Sequence, residues 1–475
     1  MSRTLDISRR WVALVLAVIL PAWTGCARPD PLISVPEEPP RQILIRSVPV
    51  FDGIETTRTF PRDVLIADGK IARIASGGSI KANAAMVVIP GVGLTLLPGL
   101  IDVHGHVGSD SGPVWAGALP DPDRNLQSYL YCGVTTVLDP GALETDTFDR
   151  RNAVAAGELP GPTMFSAGPI FTAPGGHPAA LIQAMAPWYL RWYVLPRFTR
   201  EVASVEEARA AVQGLLPYKP DVIKVAVDAI PLEVPIVGGD IVRAIVEEAQ
   251  AHGLRTVAHI GTVADALRAA DAGVAAWMHG VYKERIPPDM VPRMVAAGIP
   301  YVATSVVFDA YADVYEGSRV PTRLERETVD SAVLASFAPV PKDYGPENLR
   351  HYVDLLVATR ADRCANVRLM HEAGVTVLAG ADAQSGVFPG PALHRELALL
   401  VACGLTPAEA LRAATGEAAR FVADDPDPEF GIIAEGKRAD LILVEGDPTA
   451  DITGTERIRE VFQRGVRLER HPLGS

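Results

Sequence analysis

Short apolar runs separated by turn-forming residues occur near both ends of the chain. Between residues 42 and 97 such runs are divided by pairs such as Asp68–Gly69, and further runs lie at Leu441–Val444 and Arg459–Gln463. Runs of this kind, bounded by glycine, aspartate and proline, predict β-strands. We therefore predict one composite lobe, a small β-sandwich built from the terminal segments 42–97 and 432–470.

Between these segments, apolar β-type runs alternate with stretches of helical periodicity. This alternation predicts an α/β fold in which helices cover a parallel sheet. The eight predicted strands are 99–103, 134–138, 163–167, 222–227, 255–259, 275–279, 301–307 and 375–379. Eight βα units with few interruptions favour a (β/α)8 TIM-like barrel over residues 98–431, and an open doubly wound sheet is the alternative.

The first 26 residues have a different pattern from the rest. Two arginines precede the apolar run Trp11–Leu20, which is roughly half the length that a bilayer-spanning helix requires. This pattern predicts an export signal peptide, with a buried N-terminal helix as the alternative. Gly25–Cys26 resembles the cleavage point of bacterial lipoproteins, so we expect a periplasmic or outer-membrane-anchored protein with a lipid on Cys26. The proline-rich residues 27–41 are predicted to form a tether.

Composition and charge exclude some classes of protein. The chain has 475 residues, of which 48% are hydrophobic and 21% are charged, as in globular proteins and unlike disordered ones. Its formal net charge is -13 and its lysines and arginines are not clustered, which argues against a nucleic-acid binder. We expect a small-molecule substrate, contact with a membrane only through the lipid anchor, and either a monomer or a homo-oligomer.

Only three cysteines follow Cys26, and they are widely spaced. Cys132, Cys364 and Cys403 form no Cys-x-x-Cys pair. Their spacing predicts neither a disulfide framework nor a thiolate zinc site. We predict that they are buried free thiols.

A His-x-His pair, His104 and His106, follows the predicted strand 99–103. Side chains two positions apart in a strand share a face, and active sites of barrels lie at the carboxyl ends of their strands. Two imidazoles in that place can chelate a divalent metal ion. Taken alone, the pair fits two solvated loop histidines equally well.

Four further ionisable residues stand at or near the ends of other predicted strands. Lys224 lies inside an apolar run, His259 and His279 end two strands, and Asp382 follows another. Burial of a lone ammonium group is costly, so a buried lysine is expected to be deprotonated or paired. Each residue alone could be a satisfied core residue, but the whole set in this order predicts a metal site.

At this point the sequence resembles the amidohydrolase superfamily, from about residue 42 to about residue 468. Pro98–His106 is similar to the first-strand motif of that superfamily, and residues 68–71 and 436–441 are similar to its two β-lobe motifs. Gly175–His177 resembles the Gly-Gly-His loop of its imidazolonepropionase-like and prolidase-like branch. The resemblance implies that His177 contacts the substrate, although a solvated loop histidine is the alternative.

The resemblance also implies a set of metal ligands. His104 and His106 would bind the more buried ion together with Asp382, and the second ion would be bound by two other histidines. Lys224, carboxylated by CO2 to a carbamate, would bridge the two ions. The cofactors would be two divalent metal ions, for which zinc is expected. The implied ligands are His104, His106, Lys224, His259, His279 and Asp382.

The predicted function is therefore that of a metal-dependent hydrolase. It would cleave a C–N amide bond in a dipeptide, an acylated amino acid or a cyclic amide by means of a metal-activated water, with Asp382 as the proton shuttle. Tyr282 is a second predicted substrate contact. The alternatives are a mononuclear deaminase of the same superfamily and a non-catalytic metal-binding or substrate-binding lipoprotein.

Overall fold

Nineteen β-strands form four sheets in the part of the chain that the computed structural model describes, residues 30–113, 115–116, 119–341 and 347–473. Residues from Leu32 onward belong to one compact unit. The strands are β1 Ile33–Ser34, β2 Gln42–Val48, β3 Arg62–Ala67, β4 Lys70–Ser76, β5 Met86–Pro90, β6 Leu94–Pro98, β7 Leu100–Asp102, β8 Val134–Asp139, β9 Thr163–Ser166, β10 Ile170–Thr172, β11 Thr199–Glu201, β12 Val222–Ala226, β13 Arg255–His259, β14 Ala276–Trp277, β15 Tyr301–Val302, β16 Val377–Leu378, β17 Leu441–Glu445, β18 Ile458–Gln463 and β19 Val466–Arg470.

Helices connect the strands of the central region and begin where the sequence supplies capping residues. Thr262 and Thr406, for example, each begin a helix with a reciprocal capping box. The helices are Pro122–Tyr131, Glu144–Ala156, Ala179–Met185, Arg191–Phe198, Val205–Leu215, Gly239–Ala251, Val263–Ala272, Val291–Ala296, Ser305–Glu316, Arg323–Thr328, Ser331–Ala335, Glu347–Ala358, Arg360–Glu372, Pro391–Ala402, Pro407–Ala413 and Gly416–Ala423. Within the described residues, no helix is long and apolar enough to cross a membrane.

The central strands are parallel and lie in two sheets. One has the order β7-β8-β9 and the other the order β11-β10-β12-β13-β14-β15-β16. Backbone hydrogen bonds also connect the two sheets, because Asp221 N donates to Ser166 O at 2.9 Å and Val103 N donates to Ala379 O at 3.2 Å. All residues of β8 and β12 are buried, as expected for a parallel sheet covered by helices.

The remaining strands pair mainly antiparallel and come from both ends of the chain. One sheet has the order β1-β19-β18-β17-β6 and the other the order β4-β3-β2-β5, in which β2 and β5 are parallel. Leu96 of β6 lies opposite Leu443 of β17, and both belong to a buried apolar cluster that also includes Ile43 and Phe462. Terminal segments that are remote in sequence therefore share one core.

Several expectations from the sequence are altered by the structure. β10 and β11 had no counterpart among the predicted strands, and β15 ends at Val302 because a helix begins at Ser305. β1 lies within the segment 27–41 that was predicted to be a tether, where Ile33 pairs with Arg470 of β19. The signal peptide predicted for residues 1–26, with the lipid on Cys26, lies outside the described residues.

The prediction of three free cysteines is wrong for two of them. Cys364 and Cys403 form a disulfide, with their Cα atoms 4.9 Å apart, whereas Cys132 is free and buried. Cys364 belongs to the helix Arg360–Glu372, and Cys403 directly follows the helix Pro391–Ala402. The bond forms because these two helices pack together, which is a tertiary contact that sequence spacing does not reveal.

Candidate functional site

His104 and His106 come shortly after β7, and the His104 side chain is buried. Their ring centroids are 5.3 Å apart. Gly105 separates them, and a Cβ atom at that position would lie 2.5 Å from both Tyr129 Oη and Val137 Cγ2. Only glycine therefore fits between the two histidines without displacing buried neighbours.

Backbone carbonyl groups fix the orientation of both imidazoles. Nδ1 of His104 donates to the carbonyl oxygen of Met278 at 2.6 Å, and Nδ1 of His106 donates to that of Gly141 at 2.9 Å. In each ring Nε2 is then the nitrogen that can bind a cation. A bond of this kind behind a metal-binding histidine sets both its tautomer and its direction.

His259 and His279 are oriented in the same way by neighbouring side chains. Nε2 of His259 lies 3.0 Å from Oδ2 of Asp228, and Nδ1 of His279 lies 2.7 Å from Oγ1 of Thr304. The two rings are 4.0 Å apart between centroids. Each ring thus keeps its other nitrogen, Nδ1 in His259 and Nε2 in His279, for a further partner.

The carboxylate of Asp382 lies among these rings. Its Oδ1 is 3.0 Å from Nε2 of His106 and 3.6 Å from Nε2 of His104, and its Oδ2 is 3.9 Å from Nδ1 of His279. Possible ligand atoms of His104, His279 and Asp382 all lie within 4.8 Å of one another and are buried. The structure therefore brings together nitrogen and oxygen atoms of the kind that bind a metal ion.

Lys224 is a buried residue of β12, between Ile170 of β10 and Val257 of β13 in the sheet. Its side chain is only 2% exposed. Burial lowers the pKa of Lys224 to about 7, and the negative charge of Asp382 offsets only part of this effect. A substantial fraction of this lysine is consequently neutral near neutral pH.

The electrostatics of the site favour a positive charge beside neutral imidazoles. Burial holds the pKa values of His104 and His279 well below the usual range, which keeps both rings in the neutral form that binds metals. Burial also lowers the pKa of His106, but the carboxylates of Asp139 and Asp382 outweigh this effect and raise it to about 10. Two carboxylates thus stabilise a cation at this point.

Asp139 and Asp228 were not among the predicted site residues. Asp139 is the last residue of β8, and its Oδ1 lies 3.5 Å from Nδ1 of His106. Asp228 follows β12, is 1% exposed and bonds to His259. Each comes directly after a predicted strand, at 134–138 and 222–227, so the reasoning that selected the histidines applies to these residues too.

The two predicted substrate contacts lie in different surroundings. His177 lines a cleft that also reaches His259 and Asp382, and its buried Nδ1 has no hydrogen-bond partner. Tyr282 is 1% exposed, and its hydroxyl donates to Asp228. Of these two residues, His177 is therefore the one that lines the cleft.

Comparison with known proteins shows similarity over most of the chain. A model described as the amidohydrolase family matches residues 95–468. An imidazolonepropionase from Deinococcus deserti is 24% identical over 434 residues, which is 87% of this chain and 94% of that protein. The structure of a Xaa-Pro dipeptidase with bound methionine in its active site aligns with a TM-score of 0.72 at 24% identity and covers 90% of this chain and 100% of its own. A putative prolidase from Bifidobacterium longum aligns with a TM-score of 0.68 at 23% identity, covering 92% and 96%.

Proposed function

The chain belongs to the amidohydrolase family, a hydrolase family that acts on C–N bonds, and on that premise we propose that it is a binuclear metallohydrolase that cleaves an amide bond. This proposal rests mainly on one observation. Four histidine rings with fixed orientations lie close to the carboxylate of Asp382, and Lys224 is buried in the same region. The proposed ligands are His104, His106, Lys224, His259, His279 and Asp382.

A closed (β/α)8 TIM-like barrel over residues 98–431, joined to a β-sandwich lobe, is part of this proposal. Its support is a pair of backbone hydrogen bonds between the two parallel sheets. Asp221, just before β12, donates to Ser166 of β9, and Val103, just after β7, donates to Ala379, just after β16. In such a barrel the carboxyl ends of all strands meet at one face. Histidines after β7, β13 and β14 would then converge on one site.

The donor set fits divalent cations such as zinc. Imidazole nitrogens and carboxylate oxygens are suitable ligands for zinc, and each of the four rings has one nitrogen fixed by a protein acceptor or hydroxyl group. The carboxylates of Asp139 and Asp382 also supply negative charge. Bound divalent cations would supply Lewis acidity, which lowers the pKa of water and polarises a carbonyl group.

Lys224 would complete the site as a carbamate. Its lowered pKa of about 7 supports this role, because the neutral amine is the form that adds to CO2. An N–C bond forms between Nζ and the carbon of CO2, and Nζ loses one proton. The product has a negative charge and two oxygen atoms, which suits a residue between two cations.

Asp382 is the proposed proton shuttle. Burial raises the pKa of Asp382, but its contact with His106 and the nearby His279 lower it below the usual range, so the carboxylate is ionised at neutral pH. It accepts a proton from the attacking water as the C–O bond forms and delivers that proton to the leaving nitrogen as the C–N bond breaks. His177, which lines the cleft, would contact the substrate.

Metal analysis combined with turnover measurements tests the proposed function. We expect about two divalent ions per chain and hydrolysis of at least one member of a panel of dipeptides, acylated amino acids, cyclic amides and simple neutral amides. One tightly bound ion with release of ammonia would instead support the mononuclear deaminase. Two ions without hydrolysis across the panel would support a binding protein.

Export with a lipid on Cys26 completes the proposal, with a tether over residues 27–31, the part of the predicted tether that precedes the compact unit beginning at Leu32. The disulfide between Cys364 and Cys403 supports it, because disulfides persist mainly in oxidising compartments. Fractionation of cells that express the full chain tests the anchor. We expect the protein in the membrane fraction and the Cys26→Ser variant outside it, whereas an unchanged distribution contradicts lipidation.

A further inference from the structure

Most of the cleft that reaches the proposed metal site is apolar. Two of its apolar residues belong to the helix Ala179–Met185 and two to the helix Ser305–Glu316. Its apolar residues are Leu181, Met185, Ile230, Val307 and Phe308, and Tyr311 and Tyr352 also form part of this wall. A wall of this composition favours a hydrophobic group on the substrate, because its burial removes apolar surface from water.

Hydrogen bonds within the protein already engage several polar groups near this wall. Tyr311 donates through its hydroxyl to Oε1 of Gln384 at 2.9 Å, and Nε2 of Gln384 donates to Asp382 at 2.8 Å. Tyr352 donates to the hydroxyl of Tyr282 at 3.3 Å. These groups hold one another and the proposed catalytic carboxylate in place.

Two cations near the wall are paired with buried or partly buried carboxylates. Lys283 bonds to Asp228, and its side chain is 8% exposed. The guanidinium group of Arg363, 5.9 Å from the ring of Phe308, bonds to Asp309. No lysine or arginine is among the described residues that line the cleft. A carboxylate held against this wall would lose its hydration without gaining an ion pair with a lysine or arginine of the described lining, which is costly.

We infer that the substrate is an uncharged amide that carries an aromatic or branched aliphatic group and has no carboxylate next to the scissile bond. This inference rests on the proposed function and narrows it. The apolar group would lie against Phe308 and Met185, while the imidazole of His177 contacts the amide. Dipeptides and acylated amino acids with a free carboxylate would be poor substrates.

A matched pair of substrates tests the inference on the native metal-loaded enzyme. N-acetylphenethylamine and N-acetylphenylalanine share the acetyl amide and the phenyl ring and differ by the carboxylate beside the nitrogen. Release of the primary amine can be measured for both with one fluorogenic reagent. We expect kcat/KM to be about 100-fold higher for the neutral amide because an unpaired carboxylate is costly to desolvate.

The reverse preference, or hydrolysis of neither compound, overturns the inference about the substrate. The proposed function is judged separately on the wider panel. If the loaded enzyme cleaves other panel members but not the neutral amide, only the inference fails. If it cleaves no panel member, the proposed function fails as well.

A positive charge added to the cleft wall should reduce the preference for the neutral amide over the substrate with a carboxylate. Met185 is 46% exposed, so arginine at this position can be accommodated without burial of its charge. We expect Met185→Arg to raise kcat/KM for the carboxylate relative to the neutral amide by about 10-fold. Val295→Arg is the matched control, because Val295 is 37% exposed and lies on the helix Val291–Ala296, outside the cleft. If the ratio of kcat/KM for the carboxylate to kcat/KM for the neutral amide is the same in both variants, the inference is contradicted.

Discussion

Asp228 accepts a hydrogen bond from Nε2 of His259 at 3.0 Å, and this single contact fixes which nitrogen of the imidazole is available for a cation. The same carboxylate also accepts from the hydroxyl of Tyr282 and from Nζ of Lys283. Burial raises the pKa of Asp228, but His259 and Lys283 lower it below the usual range. Asp228 is therefore an ionised residue that fixes the orientation of His259, a proposed metal ligand, through the ring nitrogen that does not bind the metal.

Replacement of Asp228 should leave the ring of His259 less firmly oriented and so weaken metal binding. An Asp228→Asn variant loses the charge that holds the His259 ring, so we expect metal affinity to fall by about 10-fold to 100-fold. Competition titration with a chromogenic chelator measures the affinity. Asp271→Asn is the control, because Asp271 is exposed and pairs with Arg293 on the surface. An unaltered affinity in Asp228→Asn would show that His259 does not depend on this contact.

The role of Asp382 can be separated from metal binding. Asp382 has a φ of 52°, a left-handed conformation that asparagine tolerates, so Asp382→Asn should preserve the backbone. We expect the variant to retain its metal and to lose about 100-fold or more in kcat, since the amide cannot accept the proton. Metal content and steady-state rates measure the two effects. Undiminished kcat would exclude the proton-shuttle role, and the exposed Asp240→Asn serves as control.

Lys224 should be replaceable in part by a small molecule. A Lys224→Ala variant loses the proposed carbamate and leaves a small cavity, so we expect lower metal content and lower activity. Short carboxylic acids such as formate or propionate should restore part of both, because they supply the missing oxygen atoms. Metal analysis with and without the acid tests this expectation. If occupancy is the same in Lys224→Ala and in the exposed Lys81→Ala, the bridging assignment is wrong.

The disulfide should contribute measurably to stability. Removal of both cysteines, Cys364→Ser with Cys403→Ser, gives the unfolded chain more conformational freedom, so we expect a loss of roughly 2–4 kcal/mol in the free energy of unfolding. Denaturant titration under non-reducing conditions measures the difference. Reductant should destabilise the native protein and leave the double variant unaffected. A native protein that is insensitive to reductant would argue against the bond.

The β lobe should show a defined dependence on pH at Asp63. Burial raises the pKa of this carboxyl group, but hydrogen bonds from the backbone N–H groups of Gly78, Ile80 and Ser47 lower it below the unfolded value of 3.8. The ionised group therefore stabilises the fold above pH 3.8, and this contribution disappears as the pH falls through the folded pKa. We expect Asp63→Asn to cost about 1–3 kcal/mol at pH 7 and much less at pH 2, measured by thermal unfolding. Asp149→Asn, at an exposed position, is the control. A cost of Asp63→Asn that is the same at pH 7 and at pH 2 would contradict this.

The strands and the proposed ligands could be read from the sequence because their signals are local. His259 ends both a predicted and an observed strand, since five consecutive residues of that strand follow one β-type pattern. Val306 and Val307 were assigned to a strand but belong to a helix, because a short apolar run does not distinguish a buried strand from a buried helix. The apolar pattern indicated that these residues are buried, but it did not show where β15 ends and the following helix begins.

Contacts between distant segments could not be read in this way. The partner of Asp228 lies 31 residues away on the next strand, and the partner of Cys364 lies on another helix. The orientation of His104 depends on the carbonyl group of Met278, which any residue at that position would supply. Such contacts are set by packing in three dimensions, so no residue type at either position indicates them.

The composite β lobe has a consequence for the order in which the protein assembles. β1 and β6 are synthesised before the central region, whereas their partners β19 and β17 follow it. Until the C-terminal strands emerge, the early strands present unpaired edges that can pair with other chains. The lobe thus cannot close before β17 and β19 have been synthesised, so its assembly follows synthesis of the whole central region.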